Sequence, residues 1–191
     1  MRWPVFAVAA YLLLVLDVSV ASAMRLEVNA GIVEPQFLLV LLVFVGLSAS
    51  PSVVLLAAGV LGLLVDATTT WPTTTEHYHM TLIGPYALGY LAGATVLLQV
   101  RAMVYQHHPL AYAVMIVLAG MAVHLVVLGI FAVRLWYDPM PGFSAAGDLW
   151  LAVLTVAYSA AVGAVLSVGL VLASPLFDFT PTRGRTPKWR K

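Results

Sequence analysis

Residues 50–66 read Ser50-Pro51-Ser52-Val53-Val54-Leu55-Leu56-Ala57-Ala58-Gly59-Val60-Leu61-Gly62-Leu63-Leu64-Val65-Asp66, and residues 84–93 read Gly84-Pro85-Tyr86-Ala87-Leu88-Gly89-Tyr90-Leu91-Ala92-Gly93. A Thr-rich crossing from Ala67 to Tyr78 lies between them. Two apolar, glycine-bearing segments thus flank a short polar connection. The first ends on Asp66, and the second carries Gly89 and Gly93 at the four-residue spacing that lets helix backbones approach closely in lipid. The remaining segments read as helices packed around this pair.

Outward from that stretch the chain stays apolar. Of its 191 residues 62% are hydrophobic and only 9% charged, against about 25% charged in an ordinary soluble domain. Such a deficit leaves no water-facing surface, so the chain is a polytopic membrane protein. The apolar runs are continuous, unlike the alternating ~10-residue segments of a membrane β-barrel. There is no cysteine, which excludes disulfides, thiolate nucleophiles and cysteine-based metal sites. The formal net charge of +1 says nothing by itself about partners, and no nucleic-acid partner is expected.

Trp3 to Ala23 is a first span with Arg2 before it and Asp17 inside it. Its positive start and Ala21-Ser22-Ala23 end also fit a cleavable signal peptide. After a short loop from Met24 to Pro35 come Phe37 to Ala49 and Val53 to Val65, separated by Pro51. Each is ~13 residues, or ~20 Å as helix, short of a ~30 Å bilayer core. They form either a short hairpin or one helix kinked at Pro51. His79 to Val100 is the next span, with a kink expected at Pro85. Leu110 to Val133 and Leu149 to Ala173 follow, and Ser174 to Lys191 is a polar, basic tail. The hairpin gives an all-α bundle of six transmembrane helices over residues 1–173, with both termini cytoplasmic and residues 174–191 as a cytoplasmic tail. Arg2, Arg101, Arg183, Arg185, Lys188, Arg190 and Lys191 then lie inside, with Arg25 and Arg134 outside. Five spans merely exchange Arg2 and Arg25. No second copy of the Asp66 or Gly89 pattern is evident, which argues against an inverted-repeat transporter.

Ala58 to Asp66, then a proline, then Leu88 to Gly93 resembles the MreD family of the bacterial rod-shape machinery. Glu34-Pro35-Gln36-Phe37-Leu38-Leu39 resembles that family's proline-led second segment, and Ser174-Pro175-Leu176-Phe177 its closing turn. Gln36 stands where the family usually has an acid, and Pro72-Thr73-Thr74 where it has Pro-Leu-Gly. The resemblance implies a multi-pass protein of the bacterial inner membrane with a scaffolding role in lateral peptidoglycan synthesis. It also implies MreC, MreB, RodA and a class B transpeptidase as partners. The family's fold is in turn similar to the substrate-binding subunits of energy-coupling vitamin transporters, so a solute-binding subunit is the alternative.

An acid at membrane depth is costly and marks a candidate site. Asp17 is therefore read as a packing hydrogen-bond acceptor or a partner or proton group, and Asp66 as a boundary residue bonded to the Thr-rich loop. His124 lies mid-span and reads as an interhelical hydrogen-bonding residue, with a pairing to Asp17 left open. Ser159, Gly163 and Ser167 form a small-residue stripe for close helix contact, within the bundle or with a partner. Together with Pro85, Gly89 and Gly93 these are the expected packing or partner-contact residues. Glu76, His77 and His79 lack the usual helical metal-ligand spacing, and no metal or cofactor is expected. The residues suggest no nucleophile–base pair and no phosphate-binding loop, so the expectation is a non-enzymatic protein. His107-His108 reads as a solvated turn, and the basic tail as a cluster drawn to anionic lipid.

Overall fold

The computed structural model describes residues 1–28, 31–72, 79–103, 109–136 and 144–178. The chain is an all-α bundle. Helix α1 covers Trp3–Ala23. It is followed by α2 (Phe37–Ser48), α3 (Pro51–Thr68), α4 (Pro85–Val100), α5 (Pro109–Arg134), α6 (Ala145–Leu172) and the short α7 (Ser174–Phe177). Four helices are long and apolar enough to cross a membrane: Trp3–Ala23, Pro51–Thr68, Leu110–Arg134 and Ala145–Leu172. Phe37–Ser48 and Pro85–Val100 are shorter apolar helices.

Proline sets many of the starts. It occupies the first turn of α1, α3, α4 and α7, where its missing N–H would have had no intrahelical partner. Pro85 therefore opens α4 and kinks nothing, so the expected kinked span from His79 to Val100 is corrected to a helix that begins at the proline. Likewise α3 runs 18 residues from Pro51 to Thr68 and outgrows the ~13 expected of it. At α6, Ser144 accepts from the Gly147 N–H while its own N–H donates to Asp148, a reciprocal cap that starts the helix ahead of the expected Leu149.

Ala49 and Ser50 are extended between α2 and α3. Gln36 at the start of α2 and Thr68 and Thr69 at the end of α3 line one pocket, so the two helices form an antiparallel hairpin. Val123 and Ala119 of α5 stand against Gly89 and Gly93 of α4, and Val156 and Gly163 of α6 face Gly120 and Ile116 of α5. Successive helices therefore alternate in direction. Both ends of the described chain meet: the Arg2 N–H donates to the Phe177 carbonyl at 2.9 Å. An Arg2–Asp178 ion pair lies beside this bond, with side chains 66% and 64% exposed, which makes it a minor contribution. Phe177 is buried edge-on against Phe44, so Ser174–Phe177 packs with the bundle. Residues 179–191 lie outside the described part of the chain.

The core centres on α2, not on the stretch from Ser50 to Gly93. Every residue from Phe37 to Leu47 is buried, as befits a helix apolar on all faces, and α1, α3, α4, α5 and α6 pack around it. Both ends of this buried helix are capped from elsewhere. Asp17 accepts from the Phe37 and Leu38 N–H groups at 2.6 and 3.1 Å, and the Ser159 hydroxyl accepts from the Gln36 N–H at 2.9 Å. At the other end Arg101 donates to the carbonyls of Gly46 and Ala49. An anion at the N-terminus and a cation at the C-terminus each oppose the helix dipole.

The loop expected from Met24 to Pro35 contains a β-hairpin, in which β1 (Leu26–Val28) pairs antiparallel with β2 (Gly31–Val33), Leu26 opposite Val33. A second antiparallel pair joins β3 (Trp71–Pro72) to β4 (His79–Met80). The chain thus repeats one unit: long helix, β-pair, short helix (α1–β1–β2–α2, then α3–β3–β4–α4). This corrects the expectation that no second copy of the Asp66 pattern exists. In each unit an aspartate near the end of the long helix caps the short helix, and the spacings are the same. Asp17 reaches N–H groups 20 and 21 residues on, and Asp66 reaches Tyr86 and Ala87, also 20 and 21 residues on. The ends of both long helices line the same pocket, so the units run in the same sense and are not inverted.

Candidate functional site

Asp17 sits on a π-helical turn, Leu16–Val20, within α1. Such a turn inserts a residue into the ladder and recurs at functional positions. Here it accompanies a carboxylate turned onto the first N–H groups of α2. Ser19 returns its hydroxyl to the Val15 carbonyl and Ser22 to that of Ser19, which satisfies the loosened turn. Asp66 is wholly buried and accepts three N–H groups, from Gly84, Tyr86 and Ala87, at 2.8, 2.9 and 3.0 Å. These donors belong to the start of α4; most of the Thr-rich loop expected to bond Asp66, residues 73–78, lies outside the described residues. Gly62, one turn earlier, allows the approach: a Cβ there would stand 2.5 Å from Ala87 Cα and 2.7 Å from the Tyr86 carbonyl oxygen.

Between these two caps lies a pocket of about 300 Å³. Its walls include Asp17 and Ser22 from α1, Gln36 at the head of α2, Thr68 and Thr69 from α3, and Tyr86 and Tyr90 from α4. Arg25 and Glu34, flanking the β1–β2 hairpin, also line it and pair with each other at 2.5 Å with partly exposed side chains. Tyr90 is buried to 1% exposure and Tyr86 is nearly so, which makes the α4 side the floor and the partly exposed ion pair the rim. The Gln36 Oε1 is buried with no hydrogen-bond partner among the described residues.

The other expected residues are dispersed through the packing. Gly89 and Gly93 face α5, where a Cβ at either would come within 3.0 Å of the Val123 or Ala119 carbonyl oxygen. Gly163 meets Ile116 and Val40, and a Cβ there would lie 2.4 Å from Ile116 Cδ1. Ser159 accepts from Gln36 and donates to the Thr155 carbonyl, while Ser167 is buried and donates to that of Ala164. The stripe of Ser159, Gly163 and Ser167 therefore faces inward. His124 is buried on α5 with its Nε2 unpartnered among the described residues, and the Asp17 carboxylate is bonded to α2 backbone, so the open Asp17–His124 pairing is not made. Glu76, His77, the His79 side chain and the pair His107-His108 lie outside the described residues. Among the described residues no three His, Cys, Asp or Glu side chains gather as metal ligands.

The sequence gives no site role to Arg25, Glu34, Gln36, Gly62, Tyr86, Tyr90 and Arg101. One signal for several of them was present: each intramembrane aspartate is followed at equal distance by a short apolar segment whose first N–H groups need an acceptor. Arg101, one residue past an apolar run, carried no such signal. No family model, curated protein or solved structure matches the chain.

Proposed function

We propose that this protein is a non-enzymatic, MreD-like scaffold of the bacterial cell-elongation machinery, held in the inner membrane by six spans with both termini cytoplasmic. One observation carries the reading: polar groups inside the bundle cap and join its own helices, while its outer faces are apolar. Asp17, Asp66, Ser159 and Arg101 all bond backbone of neighbouring segments. Outward stand Val8, Tyr11 and Leu12 of α1, Leu56 and Leu63 of α3, and Val165, Val168 and Leu172 of α6. Such a body suits lipid and partner helices. The hairpin at Pro51 supports six spans over five, and the meeting of Arg2 with Phe177 supports termini on one side. The resemblance of residues 34–177 to MreD supplies the partners: MreC first, with MreB, RodA and a class B transpeptidase.

Extraction from the native host membrane followed by native mass spectrometry tests this reading, with co-purified MreC as the expected result. Asn29→Cys, in a chain without native cysteine, is expected to label from outside the cell. Labelling from the cytoplasm alone would overturn six spans. A second reading, the solute-binding subunit of an energy-coupling transporter, is favoured by the pocket between the two aspartate caps. Co-purified transporter ATPases without MreC would promote it.

A further inference from the structure

We infer that the pocket between α1, α2, α3 and α4 is a binding site for a primary ammonium group carried next to an anionic one, the chemistry of an ethanolamine phosphate headgroup. The inference needs the bundle in a bilayer and no particular protein partner. The first argument is charge. Asp17, Glu34 and Arg25 are the ionisable acids and bases lining the cavity. Arg25 and Glu34 neutralise each other at the rim, which leaves the Asp17 carboxylate as the uncompensated charge. Its bonds to the Phe37 and Leu38 N–H groups use one lone pair on each oxygen and leave another on each. A compact ammonium fits those two acceptors by sign, and two of its three donors suffice for them.

The second argument is the floor. Tyr86 and Tyr90, both nearly fully buried, line the same cavity, and a cation close to an aromatic ring is stabilised when water is excluded. Gln36 also lines the cavity. The third is polarity along the pocket. The carboxylate lies inward and Arg25, which pairs with Glu34 through its Nε and carries further donors on its Nη atoms, lies at the partly exposed rim, so a ligand with an ammonium tip and a phosphate behind it meets both in order. Asp17 precedes the end of α1 at Ala23 by about six residues, or roughly 9 Å of helix, so an ammonium reaches it by passing the rim. A choline headgroup has no N–H to give Asp17, and a glycerol headgroup has no positive charge. The lipid headgroup and a free phosphoethanolamine-like solute share the chemistry, and experiment distinguishes them.

The full chain is purified into nanodiscs of phosphatidylglycerol doped equally with ethanolamine, choline or no second headgroup, and retained lipid is read by native mass spectrometry. The expected result is about tenfold preference for the ethanolamine headgroup, the scale of one charge-assisted hydrogen bond. Ser22→Phe, which fills the pocket from an exposed position that caps no helix, is expected to abolish the preference with an unchanged melting temperature. Binding of free O-phosphoethanolamine to wild type but not to Ser22→Phe, with no lipid preference, would assign the same site to a soluble ligand. Equal retention of all headgroups with no binding of the free amine, or a preference that survives Ser22→Phe, overturns the inference.

Discussion

The first and second helix–β-pair–helix units use the same cap and pack in opposite ways. In the second unit Asp66 is fully buried, takes three N–H groups, and sits beside a glycine that draws α4 onto α3. In the first unit Asp17 takes two N–H groups and one side of it opens onto the pocket. The capped helices differ too. The short α2 is buried at every position from Phe37 to Leu47, whereas α4 turns Gly89 and Gly93 to α5 and leaves Leu88 outward. One local device therefore serves a closed structural joint in one unit and a candidate ligand pocket in the other. What separates them is the packing around the carboxylate, not the carboxylate.

The comparison breaks most visibly at the caps. Asp66→Ala would strand three N–H groups away from water and is expected to destabilise the bundle by roughly 3 kcal/mol or more. Asp17→Ala strands two beside a cavity that admits water, and about 2 kcal/mol is expected. Chemical denaturation in detergent reads both, and equal losses would mean that the two caps are energetically alike. Next comes the close approach. Gly62→Ala would push a Cβ into the backbone of Tyr86 and Ala87, for an expected cost of about 1–3 kcal/mol. Gly59→Ala, with nothing within 4 Å, is expected to be neutral or to stabilise by about 0.5–1 kcal/mol through helix propensity. The smallest effect is expected at Arg101→Met, which removes a partly exposed cation from the Gly46 and Ala49 carbonyls. Thermal unfolding should register about 1 kcal/mol, shrinking in high salt if the dipole contribution dominates.

Much of the fold was legible because it rests on local properties. Apolar length marked the helical segments, and Pro51 separated α2 from α3. Pro85 was misread for an instructive reason. A proline inside an apolar run reads as a kink, but Gly84 before it has φ 132°, a left-handed-side conformation that only glycine adopts easily, and the helix starts after it. The site was less legible. Asp17 and Asp66 stood out by charge, yet their partners are backbone N–H groups, which no residue type announces. The inward face of Ser159, Gly163 and Ser167 was equally hidden, since a small-residue stripe reads the same against a neighbour in the chain or in another protein.

The sequence by itself determined that this is a helical membrane protein, where most of its helices lie, and that its interior polar groups are few. Those follow from the cost of polar groups in hydrocarbon and from the fixed φ and missing N–H of proline. Only the tertiary structure decided that α2 is the centre, that two aspartates repeat one capping geometry, and that a pocket opens between them. The physical reason is distance along the chain. The Ser159 hydroxyl meets the Gln36 N–H across 123 residues, and Arg101 meets Ala49 across 52. Contacts of that kind are set by how the helices pack together, and no local pattern of residues encodes them.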